Sequence, residues 1–362
     1  MSSSKEGGTA ATAQQLGSMS LGKSAAGDRK KDNDAVPTAK DTPTKVCSAC
    51  GKVSDTLKKC NGCKCVWYCD KDCQNHHRKE HKQVCKRIKK ELDKRGGKLD
   101  LGAETDLVPL PDLPPREECP ICMRALSIHP RLQGYAACCG KTVCGGCDLQ
   151  HQVKSRERAA ELGQKKVLLT CAFCRTPIPE SDEEILARTR KRVELKDLTA
   201  MFSLAMDYAT GRLGLPVDQA KFIDLLRESA GLGHPDSQFK LGTLHHMGTM
   251  GLEQNEEIAL KYYEQAAEGG HLLSRHNLGS KKKETGDIIA AMGHWRLSAS
   301  GGSRRSIEIL ILYFEHGLLH HSDLAETLRA MYRARAEMSS ADRDQFIEYL
   351  KKTGKYDEEY NL

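Results

Sequence analysis

Cysteine is the residue type whose spacing could do chemistry here: the 362-residue chain holds 16, in two blocks of eight. The blocks run from Cys47 to Cys85 and from Cys119 to Cys174, and no cysteine follows. In the first block the metal-capable donors read Cys47-x2-Cys50, Cys60-x2-Cys63, Cys69-x3-Cys73 and His81-x3-Cys85. Two or three intervening residues let both side chains of a pair converge on one tetrahedral ion, so eight donors make two sites. Cysteines buried as small hydrophobes do not explain four such pairs. His81 and Cys85, four positions apart, belong on one face of a short helix. His76 and His77 lie between pairs and read as exposed.

The second block offers Cys119 and Cys122, the adjacent Cys138 and Cys139, Cys144 and Cys147, then Cys171 and Cys174. Gaps of 15 residues before Cys138 and 23 after Cys147 leave room for two metal sites, the longer gap reading as a helix and a short strand. Adjacent ligands are awkward on one ion, and His129 or His151 could replace one of them.

The cell compartment bears on this chemistry. The first 45 residues are rich in Ser, Gly, Ala, Thr and Lys and lack the apolar core of a secretory signal. No apolar run approaches the roughly 18 residues a membrane span needs. An intracellular place, cytoplasm or nucleus, is therefore expected, where thiols bind metal rather than pair as disulfides. The formal charge of +7 suggests nucleic acid, but 15 thiolates with four Zn2+ would bring it to zero. Metal loading removes that argument.

The first block, with "YC", "CQ" and a closing H-x3-C, closely resembles the MYND zinc finger over about 40 residues. That resemblance implies interleaved pairs: Cys47, Cys50, Cys69 and Cys73 on one zinc, and Cys60, Cys63, His81 and Cys85 on the other. Cys65 is then surplus, a filler beside Trp67. The family captures proline-containing peptides, often P-x-L-x-P, in an aromatic-lined groove, for which Trp67 and Tyr68 are the candidates. Arg78 stands where the family usually has Trp.

The second block is similar to RING fingers, in a form whose eight ligands are all cysteine. The resemblance implies Cys119, Cys122, Cys144 and Cys147 at one zinc, and Cys138, Cys139, Cys171 and Cys174 at the other. Two zinc ions per finger make four in all. A RING finger has no nucleophile; it holds a ubiquitin-conjugating enzyme in a reactive pose. Ile121 and Arg175 match the family's contacts to that enzyme, whereas Ala172 stands where its usual proline would be.

Around these blocks the chain must supply scaffolding. A MYND-type finger is expected over 46–88, a proline-containing linker over 89–116 and a RING-like finger over 117–178, flanked by a disordered tail over 1–45. Within the linker, Pro111, Leu113 and Pro115 fit P-x-L-x-P, so the segment could fold back on the MYND groove with Leu113 as anchor. From Ser181, which with Glu184 reads as a capping box, the pattern becomes helical. "MFSLAMDYATGRLG" and "QFKLGTLHHMGTMG" align at a step of 37, and two further copies follow at shorter steps. Small residues at Ala230, Ala267 and Ala299 mark helix contacts, and Leu241, Leu260, Tyr262 and Tyr263 mark the core. This resembles the Sel-one-like repeat, a relative of the tetratricopeptide repeat, and implies an α-solenoid over 181–352 that binds proteins. "SADRDQFIEYLKK" reads as its polar capping helix, before a tail over 353–362.

The fold expected is multidomain: two small cross-braced zinc-binding domains of α+β type, then an all-α solenoid. The first functional expectation is an adaptor that collects protein partners, proline-containing peptides among them. The second is a RING-type ubiquitin ligase whose solenoid selects substrates. A transcriptional co-regulator, suggested by the basic "KRIKKELDKR", is the weakest of the three.

Overall fold

The computed structural model describes residues 45–98, 107–129, 132–164 and 166–356. Nearly all of the tail expected over 1–45 and residues 357–362 of the tail expected over 353–362 lie outside the described residues. The first finger is a two-stranded antiparallel ribbon, β1 (Lys58–Lys59) with β2 (Trp67–Tyr68), followed by helix α1 (Lys71–Lys94). Asp70 caps α1 by accepting from Cys73 N. The helix is not short: it runs 24 residues, into the stretch expected to be linker. Its extension is held because Ile88 and Leu92 are buried in the same apolar cluster as Ile311 and Phe314.

The second finger is an antiparallel hairpin, β3 (Gln133–Ala136) with β4 (Lys141–Cys144), then helix α2 (Gly145–Glu161). The helix expected in the long gap is there. The strand expected after it reduces to a single bridge, Thr170 to Pro177.

Ten helices follow: α3 (Asp182–Glu194), α4 (Leu198–Thr210), α5 (Gln219–Gly231), α6 (Pro235–Met247), α7 (Glu256–Glu268), α8 (Leu272–Glu284), α9 (Ile288–Ser300), α10 (Arg304–Glu315), α11 (His321–Met338) and α12 (Ala341–Lys352). The first eight of these start for a local reason, whereas α11 has no side-chain cap. Ser181, Asp197, Asp218, His234, Asn255, His271, Asp287 and Ser303 all accept an N-cap hydrogen bond. At α3 the reciprocal arm of the capping box shifts by one residue, Glu184 accepting from Glu180 N rather than from Ser181. Helices α4 to α9 pack as successive antiparallel pairs, α4 on α5, α6 on α7 and α8 on α9. Leu241 and Tyr263 are fully buried between them, with Leu260 and Tyr262 partly so.

Helix α12 is not a solvent-facing cap. It packs on α2 of the second finger, with Arg343, Phe346, Ile347 and Leu350 turned inward at helical spacing. The sequence around it is polar enough to hide that stripe.

Candidate metal centres and the surfaces beside them

Local geometry brings the donors of the first finger together in two groups. Cys47 and Cys50 come from the turn before β1, Cys69 from the end of β2 and Cys73 from the first turn of α1. Cys60 and Cys63 flank the β1–β2 turn and meet His81 and Cys85 from the third and fourth turns of α1. Within each group all ligand atoms lie within 4.8 Å of one another. His81 turns Nε2 to this cluster, 3.3 Å from Cys63 Sγ.

In the second finger, Cys119, Cys122, Cys144 and Cys147 form a third group under the same 4.8 Å limit, and Cys138, Cys139, Cys171 and Cys174 a fourth. The adjacent pair converges because both cysteines sit in the β3–β4 turn. Gly140, at φ +69°, and Cys139 both donate to Ala136 O there and curl the loop inward. His151 stays outside the group, bonded to Thr170 Oγ1.

The donor set fits zinc. Nitrogen and sulfur donors in closed groups of four, most of them thiols, are the pattern of tetrahedral structural zinc, which would favour all the thiolates at once. Backbone dipoles favour the anion at some of these thiols. At Cys47 and Cys119 burial raises the thiol, but backbone N–H groups outweigh it and leave both at about 7. In the Cys60 group, hydrogen bonds from Cys63 and Cys85 hold Cys60 low, and the same contacts push Cys63 and Cys85 up. These thiols compete for one negative charge, and a dication relieves that competition.

Several residues stand elsewhere than the sequence suggested. His77 is buried, not exposed: its Nδ1 lies 2.9 Å from Tyr68 Oη, and its ring meets Tyr332 edge-on at 4.2 Å. His76 is exposed. Tyr68, 3% exposed, is a core residue and not a groove wall. Successive strand residues face opposite ways, so Trp67 and Tyr68 cannot both look outward. Trp67 is half-buried, with the ammonium groups of Lys45 and Lys59 at 5.0 and 4.9 Å from its ring. Arg78 is exposed, and Cys65 is a buried filler beside Cys63 O. Ile121 is 42% exposed, and Arg175 lies exposed with its guanidinium 2.5 Å from His151 Nδ1.

Within the linker, the stretch 108–116 lies on the solenoid. Leu113 sits over Gly301, where an added Cβ would stand 3.0 Å from Leu113 Cδ1, and Pro114 sits beside Gly270. Arg116 donates to Gly301 O, and Arg296 donates to Val108 O at 2.8 Å. Pro111 and Pro115 are exposed.

Residues 47–85 match the MYND finger, and residues 198–234 and 235–271 match the Sel1 repeat. The chain thus joins a MYND finger, and a further cysteine-rich region beyond it, to a helical-repeat solenoid. Chitin synthase regulatory factor 2 of Schizosaccharomyces pombe is 25% identical over 135 residues, 35% of this chain and 26% of that protein. The chain therefore spans about a quarter of the length of the curated relative it matches. Among solved structures, a Sel1 repeat protein from Oxalobacter formigenes is 26% identical over 35% of this chain and 97% of its own, with a TM-score of 0.32. A protective antigen of uropathogenic Escherichia coli with an SLR fold is 18% identical over 57% of this chain and 41% of its own, with a TM-score of 0.36. None of the helices among the described residues is long and apolar enough to cross a membrane.

Proposed function

We propose that the protein is a zinc-dependent interaction adaptor that holds four Zn2+ ions and collects protein partners through its MYND finger and solenoid. The observation that carries this reading is the set of four donor groups, each compact enough for one tetrahedral ion. The MYND finger and Sel1 repeats are both protein-interaction modules. The fission-yeast relative is named as a regulatory factor, and regulation by binding is the part carried over here. Proline-containing peptides are the partner class for the first finger, with Trp67 as the available aromatic surface. Metal analysis of the full-length chain tests the count. Four zinc ions are expected, and two would remove one block from the reading. Chelation should unfold both fingers and leave much of the helical signal, because structural zinc is folding energy for such small modules.

Exposure of Ile121 favours a second reading, a RING-type ubiquitin ligase. An apolar side chain 42% open to solvent within a cysteine turn suits contact with a conjugating enzyme. Ile121→Ala should then abolish enzyme binding at full zinc content, and Arg175→Ala should slow ubiquitin discharge. Discharge that neither change affects leaves the adaptor alone standing.

A further inference from the structure

Two buried side chains from the end of the solenoid reach donor groups that belong to the fingers. Tyr332 on α11 is 2% exposed and places its hydroxyl 3.3 Å from His81 Nδ1. The other nitrogen of that ring faces Cys63 Sγ. With Nε2 given to a metal, Nδ1 carries the proton and donates it to Tyr332 Oη. The same helix fixes the turn that bears Cys63. His321 Nε2 donates to Cys63 O at 2.7 Å, and Arg329 donates to Cys65 O at 3.0 Å. On α12, Arg343 is 6% exposed and donates to Ala125 O at 2.6 Å. Its Nη2 lies 3.5 Å from Cys122 Sγ.

Resting on the zinc reading above, we propose that Tyr332 and Arg343 are positioning residues for zinc. Helices α11 and α12 complete the outer coordination of one site in each finger, and metal retention there is tied to docking of the solenoid's last two helices. The chemistry differs between the two sites. In the Cys60, Cys63, His81 and Cys85 group, Tyr332 fixes the tautomer and ring angle of the single imidazole, as an acceptor beyond a metal-bound histidine does. In the Cys119, Cys122, Cys144 and Cys147 group, four thiolates around one dication leave excess negative charge, and the Arg343 guanidinium offsets it from a buried position. Neither helix belongs to a finger by sequence: Tyr332 stands 251 positions from His81, and Arg343 stands 221 from Cys122.

The test is transfer of zinc from the full-length chain to an excess of chromogenic chelator. Tyr332→Phe keeps the ring that packs on His77 and removes only the hydroxyl. It should release one zinc about tenfold faster, the others keeping wild-type rates. Tyr332→Leu, which also removes the ring, separates packing from the hydrogen bond. Arg343→Met should speed release of one zinc from the second finger, and Arg343→Lys, which keeps the charge, should restore part of the retention. Cobalt(II) substitution singles out the Cys60 group, since its three sulfurs and one nitrogen absorb differently from the four sulfurs of the other three, and Cys122→Ser placed in the Arg343→Met background marks the second-finger ion by removing its fast phase. Release from Tyr332→Phe at the wild-type rate, with Tyr332→Leu alone fast, would reduce Tyr332 to a packing residue and overturn the proposal. So would equal acceleration of every ion. A wild-type chain that binds no zinc overturns the underlying reading instead, so the two failures are distinguishable.

Discussion

Arg87 forks onto Glu315, with Nε 2.8 Å from Oε1 and Nη2 2.7 Å from Oε2, and so pins α1 of the first finger to α10 of the solenoid. The side chains remain 41% and 26% exposed, so water screens the pair. Its worth is at most about 1 kcal/mol. The apolar partners next to it matter more, since Ile88 is fully buried in a cluster shared with Phe314. Arg87→Ala should therefore shift thermal unfolding slightly. Ile88→Ala should cost roughly 2–5 kcal/mol and speed hydrogen exchange in α10. A larger effect of Arg87→Ala than of Ile88→Ala would show that the ion pair, not the shared core, holds the finger.

The contact between α2 and α12 depends on a glycine. A Cβ at Gly146 would stand 2.7 Å from Arg343 N and 2.8 Å from Asp342 C, which are backbone atoms that cannot swing aside. Gly146→Ala should cost about 1–3 kcal/mol through overpacking and displace α12. Hydrogen exchange in 341–352 should rise, with little change in α4 to α7. An unchanged exchange pattern would mean that the two helices meet more loosely than the distances state.

That contact shows why some of the molecule was legible and some was not. Ligand pairs such as Cys47 and Cys50 were readable because a metal site forces short spacing, and the repeats because equal units recur at 37 residues. Docking obeys no such local rule. His77 looked like a spare polar residue in a basic helix, yet its burial is decided by Tyr332, far along the chain. Arg343 lies in the stretch that reads as a polar capping helix, and its burial is likewise decided by a distant element, α2. Tyr68 was different: strand alternation beside Trp67 was a local signal that it faces inward, and the family groove masked it.

Half-buried histidines should give the solenoid an acid-sensitive stability. His234 caps α6 by accepting from Ser237 N at 3.3 Å through Nδ1, which requires the neutral ring. Burial lowers its pKa below the ordinary 6.5, against a raising effect of Asp236. Burial likewise lowers His276 and His294. A depressed folded value means that the unfolded chain takes up protons first. The contribution is complete above about pH 6.5 and is lost as pH falls through the folded value. His234→Asn keeps an N-cap acceptor that does not titrate. Thermal melts at pH 7.5 and 5.5 should show a smaller acid loss in the variant, by about 0.5–1 kcal/mol. Zinc sites lose metal equally in both chains, so the difference reports the histidine. Identical acid losses would remove His234 from the account.

The position of the linker sets the last prediction. If Pro111 to Pro115 competed for the aromatic surface at Trp67, removing Leu113 and Pro115 would strengthen binding of an added P-x-L-x-P peptide. The structure puts Leu113 over Gly301 and Pro114 beside Gly270, while Arg116 donates to Gly301 O. Upstream, Val108 O is held by Arg296, which is itself fixed by Glu326 at 2.5 Å and Asp323 at 3.5 Å. A buried guanidinium so anchored gives the linker a fixed seat on α9. Leu113→Ala with Pro115→Ala should therefore free the linker without altering the first finger. Trypsin should cut after Arg116 several-fold faster in the double variant, because local opening becomes easier. Peptide affinity at the first finger, measured by calorimetry on the full-length chain, should match the wild type. Stronger peptide binding in the variant, with unchanged trypsin cleavage, would return the linker to the finger.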